Sequence, residues 1–278
     1  MFKSTFIKFR LPFILVCLLA FSACKVKKYA ATEKIYKEKA KNFANIISDV
    51  PPKGQIYDTL NSQNQQWIAS VNFGIRKPNF VILHHTAQDS LDQTIKTFQL
   101  ARTQVSAHYV VGRDGKVVHM VNDYLRANHA GVAKWGKDTD INSSSIGIEL
   151  DNNGSTDPWP DAQINSLLKL LATLKKEYNI PTANFIGHAD IAPGRKPDPA
   201  HFPWKKLADK GFGYWYDEVL QNPPADFNTE MALRYIGYNT KNLGAAINAF
   251  KIHFIQTDIS QTLTPVDVLV LYNVYLKY

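Results

Sequence analysis

The chain has 278 residues, 45% of them hydrophobic and 12% aromatic, which is enough for one full domain and a small second one. Its formal net charge is +8, from 32 basic and 24 acidic residues. No clustered basic stripe accompanies that surplus, so nucleic acid is not an expected partner; an anionic polymer or lipid headgroups would suit it.

Lys3, Lys8 and Arg10 open the chain, and residues 11–21 form an uncharged apolar run. That run falls short of the roughly 20 apolar residues a membrane-spanning helix needs, and it reads as the core of a secretory signal peptide. The segment Phe21-Ser22-Ala23-Cys24 resembles the lipobox of bacterial lipoproteins. The resemblance implies that residues 1–23 are removed, that Cys24 carries lipid, and that the protein is anchored at a membrane of the cell envelope, with the outer membrane facing the periplasm expected. Removal takes three basic residues and no acid, leaving 29 against 24, a net +5. Cys17 lies inside the signal, so the mature chain has no disulfide to rely on.

Residues 24–70 read as a tether and N-terminal extension: Lys25 to Asp49 is Lys- and Ala-rich with helical tendency, Pro51-Pro52-Lys53-Gly54 breaks it, and Asn61 to Gln66 is polar loop. The main domain is expected over residues 71–220. Asn79 to His84 is a continuous apolar run of buried-strand type. Ser90 is a candidate N-cap for a helix with Leu91, Ile95, Phe98 and Leu100. Ala107–Val111 and Lys116–Val121 read as strands joined through Arg113-Asp114-Gly115, a hairpin turn. Ser145–Leu150 and Asn184–His188 are two more strands. Asp161–Tyr178 is the strongest helix, with Ile164, Leu167, Leu168, Leu171 and Leu174 along one face. This mixture predicts an α/β fold, a mixed central β-sheet flanked by helices. Pro223-Pro224 marks a linker, and residues 221–278 hold three predicted helices (Thr229–Tyr235, Leu243–Phe254, Pro265–Leu276) expected as a small C-terminal three-helix domain. No internal repeat is present.

Seven of the eight histidines fall between His84 and His201, which suggests a metal or acid–base site. His253, outside that window, reads as a surface or packing residue. The stretch Gly187-His188-Ala189-Asp190-Ile191-Ala192-Pro193-Gly194-Arg195-Lys196-Pro197-Asp198-Pro199 ends a strand on histidine and returns a lysine and an aspartate from a Pro- and Gly-rich loop. Together with Val81-Ile82-Leu83-His84-His85-Thr86 and Ser145-Ile146-Gly147-Ile148-Glu149-Leu150, it resembles the signatures of the zinc-dependent N-acetylmuramoyl-L-alanine amidases, in order and spacing, from about Asn79 to Trp204. That family also includes the peptidoglycan recognition proteins.

The resemblance implies one Zn²⁺ per chain on His84, His188 and Asp198, and this donor set suits zinc with a fourth position open. His85, adjacent on the strand, faces the other way. Glu149 matches the family's proton-transferring glutamate, and Lys196 its lysine facing the substrate carbonyl. His108 and His129 match positions lining the substrate groove. Trp135, Trp159 and Trp204 could offer flat faces to sugar rings or serve the core. The implied activity is hydrolysis of the amide between N-acetylmuramic acid, or its anhydro form, and L-alanine in peptidoglycan or muropeptides. Ala232–Tyr238 and Ala245–Phe254 resemble the peptidoglycan-binding helices fused to lipoprotein amidases, without a long glycine-rich loop between the last two. These helices are therefore expected to hold wall and take no part in the chemistry, in a protein expected to be a monomer. A non-catalytic wall receptor is the alternative, but all ligand positions are filled. A His-Glu-x-x-His metallopeptidase motif is absent.

Overall fold

The computed structural model describes residues 28–48 and 75–278; the expected signal segment, Cys24 and the expected loops between residues 49 and 74 lie outside the described residues. The chain divides into two compact units, residues 1–70 and 71–278. In the first, helix α1 (Ala30–Ser48) forms where helical tendency was expected and has no buried residue.

The second unit is built on a five-stranded sheet: β1 (Phe80–His85), β2 (Tyr109–Val111), β3 (Val117–His119), β4 (Ser145–Leu150) and β5 (Phe185–Gly187), in the order β3-β2-β4-β1-β5. Only the β2–β3 hairpin pairs antiparallel; β2–β4, β4–β1 and β1–β5 are parallel. The mixed sheet is thus parallel through its centre, and its central strands must be buried on both faces. The apolar runs of β1 and β4 are the sequence's answer to that demand.

Alternation along the strands sends Val81, Leu83, Ile146, Ile148 and Leu150 to one face. There they meet α4 (Asp161–Tyr178) through Ile164, Leu167, Leu171 and Leu174, all buried, as the predicted stripe requires. The preceding α2 (Leu91–Gln99) starts where expected, with the Ser90 hydroxyl accepting from the Gln93 amide. The short α3 (Ile141–Ser144) leads directly into β4.

Ile82 and Ile186 point to the second face. It is covered by α5 (His188–Ile191) and by the C-terminal helices α7 (Thr229–Ile236), α8 (Leu243–Phe254) and α9 (Pro265–Tyr275); α6 (Trp204–Ala208) lies between. Leu233, Phe250, Phe254 and Leu271 form one core with Ile82, Ile186 and Ile191. Each such side chain contributes about 1.5–3 kcal/mol on burial. The expected linker is itself pinned, because the buried Asn273 accepts from the Gln221 amide and donates back to its carbonyl. The three C-terminal helices therefore exist as predicted, but they share the main core rather than standing apart after a linker. Their composition explains this: α8 is apolar nearly all round, and nine of its twelve residues are buried.

Candidate metal centre

His84 sits near the end of β1, Glu149 beside it in register on β4, and His188 directly follows β5. All three lie at the carboxyl ends of parallel strands, where open α/β sheets place their ligands. Asp198 returns from the loop after α5, and its backbone carbonyl accepts from the Ala189 amide. One atom from each of His84, His188 and Asp198 falls within a 4.8 Å cluster. The Nδ1 atoms of the two histidines are 2.9 Å apart, and Asp198 Oδ2 lies 3.0 Å from His188 Nδ1 and 3.3 Å from His84 Nδ1. Tetrahedral Zn²⁺ with bonds of about 2.0–2.1 Å would set its ligands about 3.3 Å apart.

Proton accounting shows what this triangle can hold. The Ser145 hydroxyl donates to the Ile141 carbonyl at 2.5 Å, so its oxygen accepts from His129 Nε2 at 3.1 Å. His129 Nδ1 is then a bare lone pair that accepts from His84 Nε2 at 3.0 Å. His84 Nδ1 is left without a hydrogen. His188 Nε2 donates to the Ala130 carbonyl at 3.0 Å, which leaves its Nδ1 bare as well. Three electron-rich atoms thus converge with no proton between them, an arrangement a cation stabilises. Burial and the neighbouring His188 lower the His84 pKa to about 4, so its imidazole is neutral at neutral pH. Burial would raise the Asp198 carboxyl, but its closeness to the two imidazole rings outweighs that and keeps the group below the ordinary carboxylate range, ionised at neutral pH. Neutral imidazole and ionised carboxylate are the forms that bind metal.

Glu149 does not enter the triangle. Its Oε2 is shut off from solvent and has no hydrogen-bond partner among the described residues. Burial, reinforced by the charge of Asp198 and opposed by Lys196, raises its carboxyl well above the usual range. An orphaned carboxylate of that kind beside a metal-binding triangle is suited to proton transfer. Lys196 is exposed on the loop after α5, close enough to act electrostatically on His84 and Glu149.

The two other expected groove residues behave differently. His129 is buried and spends both ring nitrogens on His84 and Ser145, so it supports a candidate ligand. Gly147 is glycine for the same reason: a Cβ there would lie 2.3 Å from the His129 ring. His108 is fully buried; Nδ1 accepts from the Gly147 amide and Nε2 donates to the Leu125 carbonyl, leaving no atom for a ligand. Sequence matching placed both near the site but could not show which way their nitrogens were committed. His85 faces away, as expected, and accepts from the Ala200 amide. Trp135 and Trp204 are core residues, and Trp159, partly buried, donates to the Ala200 carbonyl. Sequence reasoning passed over Asn142, whose Oδ1 holds the His129 and Ala130 amides, and Arg195, which donates to the Ala130 carbonyl beside His188.

Residues 74–201 match the family model described as N-acetylmuramoyl-L-alanine amidase. The chain is 35% identical over 210 residues to the N-acetylmuramoyl-L-alanine amidase AmiD of Escherichia coli, a match covering 64% of this chain and 75% of that protein. The chain belongs to the N-acetylmuramoyl-L-alanine amidases. It is also 40% identical over 110 residues to the 1,6-anhydro-N-acetylmuramyl-L-alanine amidase AmpD of Enterobacter cloacae, covering 39% of this chain and 58% of that one. Among solved structures, AmiD in complex with the substrate anhydro-N-acetylmuramic acid-L-Ala-D-gamma-Glu-L-Lys superposes with a TM-score of 0.65 at 28% identity, over 79% of this chain and 97% of its own. AmpDh3 of Pseudomonas aeruginosa, solved in complex with an anhydromuramic pentapeptide, gives the same TM-score at 27% identity, over 79% and 98%. The enzyme therefore hydrolyses the amide between N-acetylmuramic acid and L-alanine in cell-envelope peptidoglycan or its fragments.

Proposed function

We propose that this amidase is zinc-dependent and acts on muropeptides, including those ending in anhydro-N-acetylmuramic acid, from a lipid anchor at Cys24. The observation that carries the metal reading is the convergence of two bare imidazole nitrogens, each fixed from behind by a hydrogen bond, and one carboxylate oxygen. A bound Zn²⁺ would supply the Lewis acidity that makes water nucleophilic at neutral pH.

The chain's own groups do the rest. Glu149 in its ionised form takes the proton from the attacking water, holds it more readily than a surface carboxyl would, and passes it to the alanine nitrogen as the carbon–nitrogen bond breaks. Lys196 faces the developing oxyanion with positive charge. The products are a lactyl sugar and a free peptide. His108 and His129 contact no substrate in this reading; His129 keeps His84 in the required tautomer.

The Phe21-Ser22-Ala23-Cys24 segment supports the anchor, and the wall-directed activity favours the outer membrane, periplasmic side. The resemblance of residues 221–278 to peptidoglycan-binding helices supports wall contact by their outer surface, where Met231 and Tyr235 are exposed. One copy of the chain supplies every residue invoked, in keeping with a monomer.

Purified protein incubated with defined muropeptides, with and without chelator, and read by mass spectrometry tests the proposal. Cleavage between muramic acid and alanine that stops with chelator and returns with zinc is expected. Cleavage indifferent to chelator would overturn the metal reading, and binding without cleavage would favour the receptor alternative.

A further inference from the structure

His188 is carried by α5, only four residues long, too short to hold itself in water. Its geometry depends on Asp190, which is 1% exposed. Asp190 Oδ2 accepts from the Gly187 amide at 2.7 Å, and Gly187 is the residue directly before His188. The same oxygen accepts from His253 Nδ1 at 2.8 Å, and Oδ1 accepts from the Tyr238 hydroxyl at 2.7 Å. Three donors thus satisfy a carboxylate that would otherwise be costly to bury. Two of the three come from the C-terminal segment: Tyr238 just past α7 and His253 on α8.

Packing reinforces the connection. His253 stacks on Trp204 with ring centroids 4.0 Å apart and planes 17° from parallel. Trp204 in turn lies against Gly187, where an added Cβ would come within 2.9 Å of its ring. The backbone that aims His188 is therefore bounded by a carboxylate and an indole, both held in place by α8.

We propose that Asp190, Tyr238 and His253 are positioning residues for His188, so that the C-terminal helices complete a metal site they do not enter. The inference rests on the reading of His188 as a metal ligand. It assigns the helices a role in the chemistry beyond any contact they make with wall. Removing the His253 or Tyr238 donor leaves the Asp190 carboxylate to find another partner, and the Gly187–His188 turn is the nearest backbone to move.

The test measures zinc affinity of the full-length protein by competition with a chromophoric chelator, beside thermal unfolding of the same samples. His253→Leu and Tyr238→Phe should each weaken zinc binding by about 10–100-fold, the usual size for a group that orients a ligand. His253→Asn, which restores a donor near the Nδ1 position, should recover most of that loss. Lys251→Met serves as the control for general damage to α8. Lys251 is fully buried and pairs with Asp258, Asp267 and the Thr262 carbonyl, away from Asp190. It should lower the melting temperature and leave zinc affinity unchanged. Unchanged affinity in folded His253→Leu, or equal weakening by Lys251→Met, would overturn the proposal. If His253→Leu fails to fold, Tyr238→Phe carries the test, since it removes one oxygen only, and unchanged affinity there is equally fatal. Unchanged affinity in His188→Ala would instead bring down the metal reading itself.

Discussion

The two faces of the sheet solve the same burial problem with different materials. Toward α4, every contributing strand residue is apolar, and the helix answers with a single stripe of leucines and isoleucine. Toward the C-terminal helices, the apolar pairs Ile82 and Ile186 give way along the same strands to His84, Glu149 and the Asp190 network. The first face is mostly packing, with the Gln163 amide and the Tyr109 and Tyr178 hydroxyls hydrogen-bonded among it. The other combines packing with polar groups that are buried yet individually fixed, and the chemistry is confined to it. A buried ionisable group is tolerated where its atoms have partners, and on this face Glu149 Oε2 lacks one beside the cluster of His84, His188 and Asp198.

Substitutions on the two faces should therefore separate stability from catalysis. The largest effect is expected from Glu149→Gln, with turnover falling by about 10²–10⁴-fold while zinc stays at one atom per chain. Steady-state kinetics with parallel metal analysis checks this, and an active Glu149→Gln enzyme would move proton transfer elsewhere. On the opposite face, Leu171→Ala removes a fully buried side chain and should cost about 2–5 kcal/mol of stability. Its zinc affinity should stay at the wild-type value; chemical denaturation and chelator competition report the two quantities separately. Next in size, Ser145→Ala interrupts the relay behind His84 and should weaken zinc binding by about 10-fold or more with little change in melting temperature.

The smallest effect is also the most diagnostic of sign. Glu149 has its folded-state pKa raised, chiefly by burial, so the folded protein holds that proton more tightly than the unfolded chain does. Stability from this group is greatest at low pH and declines as pH rises from about 4.3, the unfolded value, toward the raised one, at about 1.4 kcal/mol per unit of difference. Metal-free Glu149→Gln should consequently melt above metal-free wild type at pH 7, with the gap closing near pH 4. A gap that widens at low pH would mean the carboxyl is stabilised in its ionised form.

Much of this was legible from residues alone, for identifiable reasons. Ser145–Leu150 and Leu243–Phe254 have the boundaries their patterns predict, because a capping residue or a sharp change of composition fixes each end. His84, His188 and Asp198 stand out because the segments carrying them resemble the family's signatures in order and spacing, and the structure brings the three together. The commitments of His108 and His129 were not legible because a histidine's letter says nothing about where its two nitrogens point. Backbone groups from Gly147 and Leu125 claim one ring, and His84 and Ser145 claim the other. The pairing of Asp190 with His253 spans 63 residues and has no local signature. The all-round apolarity of α8 did carry a warning that it packs on more than its sister helices.

The central claim is that two imidazoles and one carboxylate, and no other protein groups, hold the metal. Zinc K-edge X-ray absorption on the loaded full-length protein tests it most directly. The account predicts two imidazole scatterers with zinc–nitrogen bonds of about 2.0–2.1 Å, oxygen donors for the remainder, and no sulfur. His84→Ala and His188→Ala should each lose one imidazole scatterer or fall to less than about half an atom of zinc per chain. An unchanged imidazole count at full zinc occupancy in either variant would contradict the assignment.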